Sequence, residues 1–128
     1  MPTNTYEASR RHALHYLGVV DRLHAIYVDG DGSQRALCLF DQERPNIDLA
    51  YHWAARRSGS DSIGASICSR LAHNGSYLFN ARLSAAGQVE WFQLAIVAAR
   101  RSCNQHEEGA HLGNVGLGYQ RLGDPHRW

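Results

Sequence analysis

The residues best suited to chemistry in this chain are its eight histidines. His12 and His15 fall on one face of a predicted helix, and His106 and His111 lie near the start of another. A zinc site usually requires about three or four ligands that converge on the metal. Since no cysteine or acidic residue completes either pair at a recognisable spacing, we predict no metal site and no cofactor. A histidine-based metal-binding helical protein is kept as an alternative.

A second motif has the spacing of a calcium-binding loop. The run DGDGS places Asp29, Asp31 and Ser33 at the alternating positions of such a loop. The rest of the loop does not follow, because Gln34 stands where the loop needs glycine and Phe40 where it needs a bidentate glutamate. We therefore predict a turn between two helices at this point.

The chain lacks the patterns of an enzyme. The GLG run that contains Gly116 and Gly118 lies inside a predicted helix and follows no strand, whereas a dinucleotide fingerprint needs that strand. All thirteen basic residues are arginine, which excludes a phosphate-loop lysine and a Schiff-base lysine. No pattern brings together a nucleophile, a base and an orienting group. We predict that the protein is not an enzyme.

The composition also limits the partners. Thirteen basic and twelve acidic residues give a net charge of +1, so we expect no nucleic-acid partner and no attraction to a membrane surface. No run reaches the ~18 apolar residues of a membrane span, and the first residues lack the apolar core of a signal peptide. Cys38, Cys68 and Cys103 are odd in number and widely spaced, which indicates buried thiols in a reducing compartment. We therefore predict a cytoplasmic protein.

The elements that position these residues are helices. The chain length suits a single domain, residues 1–128, and the apolar residues recur at helical rather than strand spacing. We predict an all-α fold of about five antiparallel helices arranged as helical hairpins. Their expected positions are about residues 5–28, 33–57, 62–81, 85–102 and 105–122.

Two of these helices contain residues that usually interrupt a helix. Pro45 removes a backbone donor, so we expect a kink near Arg44. The apolar spacing keeps its phase across Pro45, which favours one helix. Asn74-Gly75 is ordinarily a turn signal. The apolar spacing also continues through this pair, so we predict one helix here and interpret Gly75 as a small residue at a close helix crossing.

The last predicted helix has an unusual composition. Asn104 followed three residues later by Glu107 is typical of a helix start. Apolar residues then recur at helical spacing, and several glycines lie between them. Each glycine costs about 1 kcal/mol relative to alanine inside a helix, so we expect a neighbouring helix to approach closely. The apolar residues are Leu112, Val115, Tyr119 and Leu122, and the glycines are Gly109, Gly113, Gly116 and Gly118.

The run LGNVGLGYQRLGD in this helix resembles the first helix of a tetratricopeptide repeat. In that family a large residue, a leucine-like residue, a small residue and an aromatic residue precede a Gly-Asp turn. Here those places are filled by Leu112, Val115, Gly116 and Tyr119, with Gly123-Asp124 as the turn. The resemblance implies an array of helical hairpins that binds other proteins.

An earlier copy of the repeat is expected upstream. Phe92, Ala95 and Ile96 resemble the packing face of the second helix of the preceding repeat. Ser76 and Phe79 then take the small and aromatic places of its first helix, each 40 residues before its counterpart, since 116 − 76 and 119 − 79 both equal 40. This offset is longer than the ~34 residues usual for the family.

Three further segments extend the resemblance. RHALHYL, LFDQERPNIDLAYHWA and EWFQLAIVAARR occur in this order before the last helix. The ordered set resembles the segment of bacterial signal-transduction ATPases of the NB-ARC or NACHT type in which the sensor repeats begin. The ATPase itself is absent from this sequence, which departs from that pattern.

These resemblances imply a non-enzymatic module for protein–protein interaction, a sensor or adaptor segment of a bacterial signalling system. In such arrays the first helix of each pair lines the concave surface, which would hold a peptide or an acidic segment of a protein partner. The alternative is a structural collar fragment without a ligand of its own. The partner-binding residues expected from the repeat alignment are Arg70, His73, Tyr77, Asn80, Gln120 and Arg121.

The end of the sequence suggests self-association. The residues PHRW follow Asp124 where the second helix of the last repeat would begin, so part of the apolar face of the last helix would lack a cover. Exposed apolar patches mark interaction surfaces. We predict that Leu112, Val115 and Tyr119 contact a second copy in a homodimer, which is packed symmetrically or exchanges this helix, or else a missing part of a longer chain.

Overall fold

The computed structural model describes the backbone of residues 2–123 and the side chains of residues 5–123. This part of the chain is helical, with no residue in a strand, so the all-α prediction is confirmed. The helices are α1 (Pro2–Tyr27), α2 (Ser33–Arg57), α3 (Ser62–Asn74), α4 (Ser76–Arg82), α5 (Ala85–Arg101) and α6 (Gln105–Arg121). None of them is long and apolar enough to cross a membrane.

The helix α3 lies at the centre of the molecule. It packs against α1 and α2 on one side and against α5 and α6 on the other. Its small residues allow this, because Gly64, Ala65, Ser69 and Ala72 are all buried without separating the neighbouring helices. A Cβ at Gly64 would lie 2.6 Å from Arg57 Cβ. The fold therefore depends on small side chains around α3.

Aromatic rings join α2 to α5 in the core. The Tyr51 ring stacks on the Trp91 ring with centroids 3.8 Å apart and planes 9° apart. The Tyr51 hydroxyl donates a hydrogen bond of 2.5 Å to the Trp91 carbonyl. Phe79 of α4 packs against both rings. Phe92 and Ala95, which the repeat alignment places on a packing face, are fully buried.

The structure divides the predicted helix at residues 62–81 into α3 and α4. The break lies at Gly75, whose φ of −98° and ψ of 11° leave the helical region. A Cβ at Gly75 would lie 2.9 Å from Val20 Cγ1 and 2.8 Å from Phe79 Cε2. The prediction of one continuous helix is therefore wrong here. Gly75 does permit a close approach of α1, but the turn chemistry of Asn74-Gly75 also ends the helix.

The prediction of a single helix across Pro45 agrees with the structure, in which α2 is continuous. The buried face continues on both sides of the proline, because Phe40 precedes it and Ile47 and Tyr51 follow it. Pro45 itself is exposed. The missing backbone donor therefore faces the solvent side of the helix.

Local side chains define the starts of three helices. Asp61 accepts a hydrogen bond from the backbone of Ile63 at the start of α3, and Ser84 accepts one from Gly87 at the start of α5. Asn104 accepts one from Glu107 at the start of α6, as its sequence pattern predicts. Each bond satisfies a backbone donor that has no partner inside the helix.

The turns also follow from the sequence. The first four residues of the DGDGS run lie in the turn between α1 and α2, where Gly30 has a φ of 55°, and Ser33 begins α2. After α6, Gly123 has a φ of 78°, a conformation that suits glycine and ends the helix. Its predicted companion, Asp124, lies outside the described residues.

The prediction that all cysteines are buried is wrong for two of them. Cys68 of α3 is buried, and burial raises the pKa of its thiol to about 12. Cys38 and Cys103 are exposed. Cys38 lies on the outer face of α2, and Cys103 occupies the turn between α5 and α6 with a φ of 56°. Sequence spacing did not separate the inner from the outer face at these positions.

Candidate functional site

A cleft of about 490 Å³ lies between α1 and the junction of α3 with α4. It is open to solvent, and most of its side chains carry hydrogen-bonding groups. We call this the junction cleft. Its lining residues are Asp21, His24, His73, Asn74, Ser76 and Tyr77.

Helix spacing and the break at Gly75 together form the junction cleft. Asp21 and His24 are three residues apart on α1, so both face the same side. His73 and Asn74 are the last residues of α3, and Ser76 and Tyr77 are the first of α4. The break therefore brings two helix ends to the same face of α1.

Aromatic rings form one wall of the junction cleft. The His24 ring stacks on the Tyr77 ring with centroids 5.4 Å apart, and Tyr27 lies beside Tyr77 at 5.7 Å. Tyr77 is nevertheless 52% exposed. The His24 Nδ1 atom is buried and has no hydrogen-bond partner. This wall thus presents a large aromatic surface to a ligand.

The junction cleft also contains a carboxylate, that of Asp21. Asn74 Nδ2 donates a hydrogen bond of 2.8 Å to Asp21 Oδ1, which orients the carboxylate from across the cleft. The ion pairs among the described residues do not involve Asp21. The amide of Asn74 is neutral, so the charge of Asp21 is not compensated by this bond.

A second polar group lies deeper, where α3 meets α6. We call it the buried cluster, and it consists of Ser69, Glu107 and His111. The Ser69 hydroxyl donates a hydrogen bond of 2.6 Å to Glu107 Oε1. Ser69 Oγ also lies 2.9 Å from His111 Nε2. Because the hydroxyl has one proton, which Glu107 accepts, His111 Nε2 must donate to Ser69 Oγ.

The environment keeps His111 neutral. Burial is the main cause that lowers its pKa from 6.5 to about 4; the nearby His73 adds to this, and the backbone of Ser69 opposes it. With the proton on Nε2, Nδ1 is bare, and it has no hydrogen-bond partner. One of the two ring nitrogens of His111 therefore has a hydrogen-bond partner, and the other has none.

The buried cluster contains the residue types of a hydrolase but not their arrangement. Ser69 and His111 are both 0% exposed, whereas a nucleophile must reach its substrate. The serine proton points to the carboxylate, so the imidazole is not placed as its base. Within the described residues, no group of histidine, cysteine, aspartate or glutamate side chains is placed to hold a metal ion. The geometry suits a link between α3 and α6.

His73 belongs to both regions. Its ring lies 5.5 Å from that of His106 and 6.3 Å from that of His111, between centroids. The same side chain lines the junction cleft. A ligand in the cleft would therefore contact a residue that packs against the buried cluster.

The predicted partner-binding residues do not all lie together. His73 and Tyr77 line the junction cleft, while Arg70 and Gln120 are exposed outside its lining. Two others are used inside the fold. Asn80 donates a hydrogen bond of 2.8 Å to Asn114 Oδ1, and Arg121 donates to Gln88 Oε1 and to the Leu83 carbonyl.

The predicted self-association residues are also divided. Leu112 is 44% exposed, but Val115 is only 6% exposed. Tyr119 is half-buried, and its hydroxyl accepts a hydrogen bond from Gln93. Val115 therefore already packs in the core of this chain.

The glycines of α6 also differ from one another, because some face a neighbouring helix and others face solvent. A Cβ at Gly118 would lie 2.6 Å from Val89 Cγ2, so this glycine permits the close approach of α5 that the sequence predicts. Gly109 and Gly113 have open space instead. They lie on the outer face of α6 with Leu112 and Leu117, which are 44% and 49% exposed.

The residues that sequence reasoning missed are those of α1 and of the α3 C-terminus. Asp21, His24 and Tyr27 are three residues apart, so the sequence places them on one face of α1. The sequence does not show which helix packs beside that face. The turn signal of Asn74-Gly75 was available as well. Taken as a helix end, it would have placed Asn74 at a surface.

Comparison of the sequence with protein-family models, with curated proteins and with solved structures gave no match. The resemblance to tetratricopeptide repeats and to the sensor segments of signalling ATPases stays an expectation that is based on the residues quoted for it.

Proposed function

We propose that this chain is a non-enzymatic binding module whose junction cleft holds a peptide segment of a protein partner. The observation that carries the proposal is the cleft itself. It collects side chains from α1, α3 and α4 around a volume of about 490 Å³, which is within the range of ligand sites in proteins. A cleft of this size accommodates a few residues of a peptide.

The chemistry of the lining suits a peptide. A peptide backbone offers N–H donors and carbonyl acceptors. Asn74 and Ser76 carry both donors and acceptors, and the ring nitrogens of His24 and His73 add to them. The exposed Tyr77 ring offers apolar surface for a partner side chain. Polar and aromatic groups side by side are typical of peptide-recognition surfaces.

The repeat-like part of the chain supports the same function. We propose that α3 to α6 form hairpins of the tetratricopeptide-repeat type, with His73 and Tyr77 on the concave side, in a cytoplasmic sensor or adaptor of bacterial signalling. The motif LGNVGLGYQRLGD and the packing of the α5–α6 hairpin on α3 support this arrangement. Both residues were expected at the binding surface from the repeat alignment.

A structural collar without a ligand explains the cleft less well. A collar gains nothing from a large aromatic side chain that is half-exposed beside an uncompensated carboxylate. Elsewhere in the described part of the chain, Tyr51 is stacked in the core and Asp41 is paired with Arg82. The unused groups of the junction cleft favour a binding role.

The test is selection of peptides from a displayed random library on the full chain, followed by NMR titration of the enriched peptide. We expect shifts of the backbone amides of His24, Asn74 and Tyr77. Tyr77→Ala should weaken binding about tenfold, whereas Leu117→Ala, which shortens an equally exposed side chain on α6, should have no effect. Enriched peptides that shift only α6 amides, or no enrichment at all, would contradict the proposal.

A further inference from the structure

We infer that the junction cleft takes a positively charged side chain, arginine or lysine, which lies between the Asp21 carboxylate and the Tyr77 ring. The inference rests on the proposed function and names the partner's chemistry. This basic ligand differs from the acidic segment expected from sequence, because the repeat alignment does not include Asp21 among the binding residues. The occupant is a basic residue of a peptide.

The charge of Asp21 is the first argument. Among the described residues that line the cleft, Asp21 is the formally charged one when histidine is counted as neutral. Two other carboxylates pair with an arginine of this chain, Asp41 with Arg82 at 2.8 Å and Asp48 with Arg44 at 2.7 Å, whereas the ion pairs among the described residues do not include Asp21. The Asn74 amide holds Asp21 in place. A fixed carboxylate without a cation is complementary to a basic ligand.

The aromatic wall is the second argument. A cation over a tyrosine ring within about 6 Å is stabilised by the charge distribution of the ring. The Tyr77 ring packs against the rings of His24 and Tyr27, with centroids 5.4 Å and 5.7 Å away, and Tyr77 remains 52% exposed. The cation–π contacts of the described residues use other rings. The exposed part of the Tyr77 side chain is thus available to a cation from outside.

The molecule contains an internal version of this arrangement. Arg57 lies over the Tyr6 ring, with its guanidinium carbon 4.5 Å from the ring centroid. The Tyr6 hydroxyl donates a hydrogen bond to Asp61, and Asp61 interacts electrostatically with Arg57, which helps to lower the pKa of that carboxyl. Tyrosine, carboxylate and guanidinium therefore meet at one end of the fold. The junction cleft has the tyrosine and the carboxylate without the guanidinium.

The experiment compares two short peptides that differ in charge but hardly in shape. Acetylated, amidated Gly-Gly-Arg-Gly-Gly is titrated into the full chain, and the same peptide with citrulline in place of arginine is the reference. We expect the arginine peptide to shift the amides of Asp21 and Tyr77 and to bind about fivefold more tightly than the citrulline peptide, with a difference that shrinks at high salt.

Variants assign the effect to its residues. Asp21→Asn should abolish the preference for arginine, while Glu90→Gln, which removes an exposed carboxylate from α5, should keep it. Tyr77→Leu should weaken binding of the arginine peptide about threefold, and Tyr77→Phe, which retains a ring, should not. The spectra of each variant show directly whether it is folded.

Several outcomes would overturn the inference. Equal binding of both peptides would do so, as would an unchanged preference in Asp21→Asn or no shift at Asp21 and Tyr77 at any concentration of the arginine peptide. If a library-selected peptide still shifts the cleft amides regardless of its charge, the binding function stands and only the basic ligand is rejected. If no peptide shifts them, both proposals fail.

Discussion

The buried cluster and the junction cleft lie on the two sides of His73, and they use similar side chains in different ways. In the buried cluster, Ser69 bonds to both Glu107 and His111, and the serine and histidine are 0% exposed. In the junction cleft, Asp21 has one neutral partner, and Tyr77 is 52% exposed. In the buried cluster the Ser69 hydroxyl and His111 Nε2 bond within the cluster, while His111 Nδ1 has no partner. The polar groups of the junction cleft, in contrast, are open to solvent and still have capacity for a ligand.

We therefore expect the buried cluster to contribute to stability and the junction cleft to contribute to binding. A polar group that is desolvated in the native state costs free energy unless its partners are present. Removal of one member of the buried cluster should therefore unfold part of the population. Removal of a cleft residue should change stability little, because water already contacts it. The following four changes test this separation, beginning with the largest effect.

His111→Ala should reduce the free energy of unfolding by about 3 kcal/mol. It leaves a cavity beside Phe92 and removes the donor to Ser69. Urea unfolding followed by circular dichroism measures the change. His24→Ala, which truncates a histidine of the cleft, is the matched control and should cost less than about 1 kcal/mol. Equal losses in both variants would remove the distinction between the two regions.

Acidification should destabilise the fold through His111. Its pKa in the folded state is lowered to about 4 from 6.5, so the unfolded state binds the proton first as the pH falls. Stability is complete above pH 6.5 and is lost as the pH approaches 4. We expect the free energy of unfolding to be about 2 kcal/mol lower at pH 5 than at pH 7.

The variant His111→Asn serves as the control for this pH effect. It carries no group that titrates in this range, so its unfolding free energy should change much less between pH 7 and pH 5, even though it is less stable throughout. Thermal unfolding at both pH values gives the comparison. A drop of the same size in the variant would assign the acid sensitivity to other groups.

Gly75→Ala should cost about 1–2 kcal/mol, because the new Cβ would lie within 3.0 Å of Val20 and Phe79. The break between α3 and α4 should tighten or shift, and the amides of Asn74 and Tyr77 should move in NMR spectra. Gly113→Ala is the matched control on α6. It has open space and should be stabilising by about 0.5–1 kcal/mol through helix propensity.

Tyr77→Ala should have the smallest effect on stability, about 0.5 kcal/mol, although it removes a large aromatic ring. Half of that ring is already in contact with water. The expected tenfold loss of peptide binding would therefore occur in a protein with an almost unchanged melting temperature, measured by differential scanning fluorimetry. A large drop in melting temperature would show that Tyr77 is a structural residue.

The parts of the fold that follow from local rules could be predicted from sequence. Asn104 bonds to the Glu107 backbone as its spacing indicates. The apolar face of α2 keeps its phase across Pro45, and that helix is continuous. Both features depend on residues within a few positions of each other, so the local sequence is sufficient to predict them.

Features that depend on contacts between distant segments could not be predicted. At Gly75 two local signals disagreed, and the outcome depended on how closely Val20 of α1 approaches. Asp21 and Asn74 are 53 residues apart, and neither signals the other. Ser69 and His111, at 42 residues, form a pair only because small side chains let α6 reach α3. The cleft and the buried cluster are therefore visible only in three dimensions.

The exposed thiols of Cys38 and Cys103 affect how any association of copies must be measured. A solvent-accessible thiol on each of two molecules permits oxidation to an intermolecular disulfide, which requires no complementary surface. Such a covalent dimer would have the same mass as a dimer formed through the outer face of α6, where Leu112 and Leu117 lie. Light scattering with and without a reductant distinguishes them, because only the disulfide-linked species returns to monomer when the sulfur atoms are reduced.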